Sequence, residues 1–147
     1  MAHTRADFEN LVNDLFSVVW KADDMDAIDR LFDPECRVRG LVPGVSLNRA
    51  EYREAVEQYQ QLARLDRFEL LDVLHDGADR AAVRLQLHLT AVIAGGSAPQ
   101  DAMMFIELRN RRMLTLHVQF DTLQYFELIG ALPANSAFLL LTGHALT

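Results

Sequence analysis

Two periodicities divide the chain. In the first third, apolar residues recur at helical spacing. Phe8, Leu11, Val12, Leu15, Phe16 and Val19 in "ADFENLVNDLFSVVWKADD" share one face, which predicts an amphipathic helix over residues 5–21. "MDAIDRLFDPE" predicts a short helix halted before Pro34, because the residue preceding a proline is pushed out of helical backbone. "CRVRGLV" predicts a short strand that ends at the turn pair Pro43-Gly44. "NRAEYREAVEQYQQLARL" predicts a second long helix, with Asn48 as its N-cap and Glu51 in the reciprocal position of a capping box.

Beyond residue 66 the period falls to two. "RFELLDVLH" predicts a strand and "HDGADR" a turn. "AAVRLQLHLTAVIA" predicts a long strand, with Val83, Leu85, Leu87 and Leu89 on one face and Arg84, Gln86, His88 and Thr90 on the other. "GGSAPQ" reads as a loop. "AMMFIELR" and "MLTLHVQFD" flank a tight "NR" connection, the pattern of a hairpin. "TLQYFELIGAL" predicts a last helix, stopped at Gly130 or soon after. Helices come first and strands mostly after. This predicts an α+β fold: a curved antiparallel sheet with the N-terminal helices packed into a cone that encloses an apolar pocket. Residues 1–133 make up this domain. Residues 134–147 form an apolar tail in which Phe138 to Leu141 are costly to expose, so the tail is expected at the pocket mouth or at a dimer interface.

Composition narrows the function. The chain has 147 residues, room for one domain with a sizeable core. Its net charge of −7 disfavours nucleic acid and anionic membrane surfaces as partners. No apolar run approaches the ~20 residues of a membrane span, and the first residues lack a signal-peptide core. Cys36 is the lone cysteine, which excludes an intrachain disulfide and fits a reducing cytoplasm. The five histidines and Cys36 show no close metal-ligand spacing, so no metal site is expected.

The segments "LFDPECRVRGLVPG" (31–44), "LLDVLHDGADRAAVRLQL" (70–87) and above all "FDTLQYFELIGALP" (120–133) resemble the SnoaL-like polyketide cyclases of the nuclear transport factor two-like superfamily. The resemblance covers about residues 5–133. It implies cofactor-free and metal-free acid/base chemistry on a hydrophobic carbonyl compound. A carboxylate removes a proton beside a carbonyl, and the enolate closes a ring on a second carbonyl. Asp121 matches the family's acid/base aspartate. The resemblance also implies a homodimer, with sheets paired back to back. The same fold hosts non-catalytic domains that bind small hydrophobic ligands, which is the alternative function.

Each candidate has a second reading. Asp121 is also a good N-cap for the last helix, with Gln124 three residues on. His117 shares its strand parity, but four residues of strand put the two Cα atoms roughly 13 Å apart, too far for a dyad. Gln119 lies between them and is a candidate to orient a substrate carbonyl. The apolar row Leu114, Leu116, Val118 and Phe120 should turn toward the helices, which sends Asp121 to the other face unless a bulge intervenes. On the preceding strand the family tends to place a histidine. This chain has Met103, Met104, Phe105 and Glu107 there, and Met104 is a candidate for an adaptable pocket wall. Arg37 and Arg39 stand where a ketosteroid isomerase would carry its aspartate base. Arg39 is instead a candidate to hold a ligand oxyanion or to form a surface ion pair. Trp20 and Tyr52 on the long helices are candidate pocket wall.

Overall fold

The computed structural model describes residues 2–146. Helix α1 (Arg5–Asp14) begins where a capping box closes. Thr4 Oγ1 accepts from the Asp7 N–H at 3.2 Å, and the Asp7 carboxylate accepts from the Thr4 N–H at 2.8 Å. The chain continues without a break as a π-helical segment, Leu15–Lys21. The expected helix over 5–21 is therefore one run whose second half widens. Of its predicted stripe, Phe8, Val12, Leu15, Phe16 and Val19 are buried and Leu11 is partly buried against the core.

Helix α2 (Ala27–Leu31) gives way to β1 (Phe32–Arg39). The strand starts two residues before Pro34, earlier than expected, since proline requires extended backbone ahead of it. Asp33, 3% exposed, is anchored there by Arg109, whose Nη2 and Nε donate to its carboxylate at 2.7 and 3.1 Å. After the short β2 (Ser46–Leu47), α3 (Arg49–Leu62) opens with the capping box read from the sequence. Asn48 Oδ1 accepts from the Glu51 N–H at 2.8 Å, and the Glu51 carboxylate accepts from the Asn48 N–H at 2.9 Å.

Four long strands follow: β3 (Ala63–His75), β4 (Arg80–Ala91), β5 (Ser97–Arg109) and β6 (Arg112–Phe120). Three boundaries differ from the sequence pattern: β4 stops at Ala91, so that residues 92–94, expected as strand, form a turn, and pairing explains the other two. Ala63 and Leu65 continue the helical pattern of α3, yet they pair with Ala91 and Leu89 and belong to β3. Ser97–Gln100, expected as loop, extends β5 because Gly95 (φ +75) completes the turn before it. Pro99 is tolerated there: β6 ends opposite Ala102, so Pro99 has a strand on one side only. Asn110 and Arg111, at φ +51 and +63, form the tight hairpin turn between β5 and β6.

The strand order is β2-β1-β6-β5-β4-β3. The sheet is antiparallel except for β1 and β6, which run parallel. Two register shifts bend β3 against β4, after Leu65 and after Leu70. The sheet is curved and unclosed, and the helical first third packs on one face of it. Helix α4 (Thr122–Leu128) leaves the end of β6 and stops ahead of Gly130 at φ +80. The tail forms α5 (Ser136–Leu141), which leans on α4 through the Ala137 N–H donating to the Glu127 carboxylate at 2.8 Å. Phe138 and Leu141 remain 66% and 88% exposed.

Candidate functional site

Alternation along the strands gives the sheet two chemically different faces. The inner face carries Leu65, Leu87, Leu89, Ala102, Met104, Leu116, Val118 and Phe120. Leu15, Phe16, Trp20, Tyr52 and Tyr59 from the helices, with Tyr125 from α4, complete a cavity of about 80 Å³. Among the described residues, no charged side chain lines it. Its aromatic wall is continuous: Trp20, Phe120 and Tyr125 stand around Tyr59 with ring centroids 6.2, 6.1 and 5.4 Å away.

The polar atoms of this cavity fall into two groups. In the first, partners are present. Trp20 Nε1 donates to the Tyr52 hydroxyl at 3.1 Å, leaving the Tyr52 proton free to be donated. The Tyr59 hydroxyl donates to the Leu41 carbonyl at 2.5 Å. Behind the wall, Gln60, which does not line the cavity, donates to the Val19 and Trp20 carbonyls at 3.2 and 3.1 Å and pins the end of the π-helical segment to α3. In the second group, Gln100 Oε1 and the Tyr125 hydroxyl are buried with no hydrogen-bond partner among the described residues. Burial raises the Tyr52 and Tyr59 hydroxyls above the ordinary tyrosine range. Tyr125 is pushed up to about 12, by burial first and by neighbouring Tyr59 second. All three are neutral hydroxyls at neutral pH.

The outer face holds a second, open depression of about 530 Å³, lined by Asp72, Arg84, Met103, Phe105, His117 and Gln119 among others. Arg84 Nε donates to the Asp72 carboxylate at 2.8 Å across it. Met103 and Phe105 are 55% and 52% exposed.

The sequence-predicted residues are therefore divided between the two faces. Trp20, Tyr52 and Met104 line the inner cavity. His117 and Gln119 line the outer depression. Arg39 pairs with His117 in register and is exposed. Asp121 is exposed at the strand-to-helix junction, where it caps α4 by accepting from the Gln124 N–H at 3.1 Å. No bulge rotates the end of β6: its pairing with β5 is regular from Thr115 to Phe120, and the one shift lies between Glu107 and Leu108. Of the expected apolar row, Leu116, Val118 and Phe120 accordingly line the cavity, whereas the shift puts Met113 in the core in place of Leu114. Among the described residues, none of the tail lines the inner cavity.

Gln100 and Tyr125 are absent from the sequence-based candidates. Gln100 has the parity of Ala102 and Met104, so a strand starting at Ser97 would have placed it on the cavity face. Both residues meet at one atom. The Asp121 backbone carbonyl accepts from Gln100 Nε2 at 2.7 Å and from the Tyr125 N–H at 3.0 Å. Asp121 thereby ties β5 to the first turn of α4.

The SnoaL-like domain family matches residues 12–115, and the chain belongs to that family. No curated protein matches its sequence. Solved structures confirm the fold. TsrD from Streptomyces laurentii is 18% identical with a TM-score of 0.71, covering 88% of this chain and 99% of that one. IdmH from Streptomyces antibioticus, described as a candidate polyketide cyclase, is 16% identical with a TM-score of 0.70, covering 87% and 99%. An NTF2-like protein of unknown function from Burkholderia pseudomallei is 19% identical with a TM-score of 0.67, covering 84% and 97%. Among the described residues, no helix is long and apolar enough to cross a membrane.

Proposed function

We propose that this protein takes an uncharged, largely apolar small molecule bearing oxygen into the inner cavity. The observation that carries the reading is the lining: wholly uncharged, rich in aromatic rings, and polar at a few buried side-chain atoms. A cavity of about 80 Å³ is smaller than the ~150 Å³ apolar cavity that accommodates benzene, so a ring enters by shifting pliable walls such as Met104. The Tyr52 proton is available to a ligand carbonyl. Titration with acetophenone, against benzoate as the charged control, tests this by chemical-shift changes at Gln100 and Tyr125. Acetophenone should bind and benzoate should not, and Leu87→Trp should abolish binding by filling the space. Equal binding of benzoate, or indifference to Leu87→Trp, would overturn the reading.

Catalysis of the polyketide-cyclase type is the second reading, favoured by the position of Asp121. Its backbone carbonyl holds a cavity residue, Gln100, at 2.7 Å, so Asp121 is joined to the cavity lining by one hydrogen bond. Asp121→Asn separates the roles, because asparagine caps a helix as well as aspartate does but cannot act as the base. Loss of turnover at unchanged stability supports acid/base chemistry, and unchanged turnover removes it. His117, Gln119 and Arg39 do not share that space, and their proposed part is in the homodimer. The outer face supplies its interface, with Leu74, Met103 and Phe105 as exposed apolar contacts around the Asp72–Arg84 pair. Phe105→Glu should convert a dimer into a monomer in sedimentation, and an unchanged mass would exclude this face. A reducing compartment such as the cytoplasm suits the free, buried thiol of Cys36.

A further inference from the structure

The two unpartnered atoms of the cavity restrict the ligand more than its apolar wall does. Gln100 is 2% exposed, and its orientation follows from one bond. The Asp121 carbonyl can only accept, so the amide end 2.7 Å from it must be the NH₂ group. The other end, Oε1, is then an acceptor without a donor. Tyr125 is 4% exposed, and its hydroxyl also lacks a partner. The two residues are linked through one backbone atom, because the Tyr125 N–H donates to that same Asp121 carbonyl. Both line the cavity. Buried polar atoms are almost always paired, and two exceptions on residues that line one cavity point to a ligand that pairs them.

We infer that the ligand carries a hydroxyl of the phenol or enol type, which donates its proton to Gln100 Oε1 and accepts from the Tyr125 hydroxyl. A single O–H group supplies both the donor that Gln100 needs and the acceptor that Tyr125 needs. A ketone or an ester oxygen cannot, because it offers no proton to Gln100 and leaves that acceptor buried and unpaired. Ionised ligands are excluded by the same atoms: a phenolate would place its charge against the Gln100 carbonyl oxygen in a cavity with no cation. Asp121 acts here as a positioning residue through its backbone carbonyl. It presents the Gln100 acceptor and fixes the turn from which Tyr125 projects.

This inference rests on the inner cavity being the ligand site, and the test separates the two claims. Three probes of nearly equal shape differ in one group: p-cresol donates and accepts, p-tolualdehyde only accepts, and p-xylene does neither. Their affinities for the full chain are measured by calorimetry at pH 7. The expected result is that p-cresol binds at least about tenfold more tightly than either of the others, against the higher hydrophobicity of p-xylene. Tyr125→Phe should weaken p-cresol at least about fivefold and leave p-xylene within about twofold, which also shows that the variant keeps its pocket. If p-tolualdehyde or p-xylene matches p-cresol, the hydroxyl requirement is overturned while the apolar pocket stands. If p-cresol is preferred but Tyr125→Phe leaves that preference intact, the assignment to Tyr125 is overturned. If none of the three binds at millimolar concentration, the pocket reading itself falls, and the inference with it.

Discussion

Replacing Tyr125 with phenylalanine should make the free protein more stable. The ring stays in place, packed with Tyr59, Phe126 and Phe120 at centroid distances of 5.4, 6.0 and 6.1 Å. Only the hydroxyl is lost, and it is buried without a partner. An unpaired buried hydroxyl costs about 1–3 kcal/mol in proteins. Against this, the void left by one oxygen costs a few tenths of a kcal/mol at about 24 cal/mol per Å³. The net expectation is a gain of about 1–2 kcal/mol, or about 3–6 °C in Tm for a domain of this size. Urea unfolding at pH 7, followed by circular dichroism, measures it. The midpoint should rise with an unchanged slope, since the surface exposed on unfolding is the same. Ionisation does not complicate the comparison, because burial pushes this hydroxyl's pKa up to about 12. A lower midpoint for Tyr125→Phe would mean that the hydroxyl has a partner in the free protein, and the reasoning about an unpaired atom would be wrong.

Gly40→Ala should destabilise the protein by roughly 2–5 kcal/mol. Gly40 sits at φ +89, and a Cβ there would lie 1.9 Å from the Val118 carbonyl oxygen, a backbone atom that cannot retreat without breaking the sheet. A thermal melt within 2 °C of the native protein would refute that contact. Arg111→Gly should raise stability by about 0.5–1 kcal/mol, because φ +63 strains a side-chain-bearing residue more than the added freedom of glycine costs the unfolded chain. A fall in the urea midpoint would go against it. Asp33→Asn should cost about 1–2 kcal/mol at neutral pH and flatten the acid limb of the stability curve. The Arg109 hydrogen bonds hold the Asp33 carboxyl below the usual range. Its contribution is therefore complete above the unfolded-state pKa near ~3.9 and lost as pH falls through the lower folded value. An acid limb of the same steepness in Asp33→Asn would show that the pair does not set it.

The chain's own pattern specified most of the architecture, because periodicity, capping and turn chemistry act over a few residues. The stripe from Phe8 to Val19, the Asn48–Glu51 box, the Asn110-Arg111 turn and the stop at Gly130 are all local. Membership in the SnoaL-like family follows from the same pattern. Strand alternation also settled which face Leu116, Val118 and Phe120 present, and so separated His117 and Gln119 from the cavity. What only the tertiary structure decided depends on partners distant in sequence. Ala63 and Leu65 became strand because Ala91 and Leu89 were there to pair with them. Gln100 became a cavity residue because β4 drew Ser97–Gln100 into the sheet and the Asp121 carbonyl captured its amide. Asp121 shows the limit most clearly. Its local sequence supports a cap, and the family resemblance around it implies an acid/base group. Folding put its carboxylate on the N-terminus of α4 and its carbonyl between Gln100 and Tyr125. Hydrogen bonds between β5 and α4, which no local pattern encodes, set where that carbonyl lies.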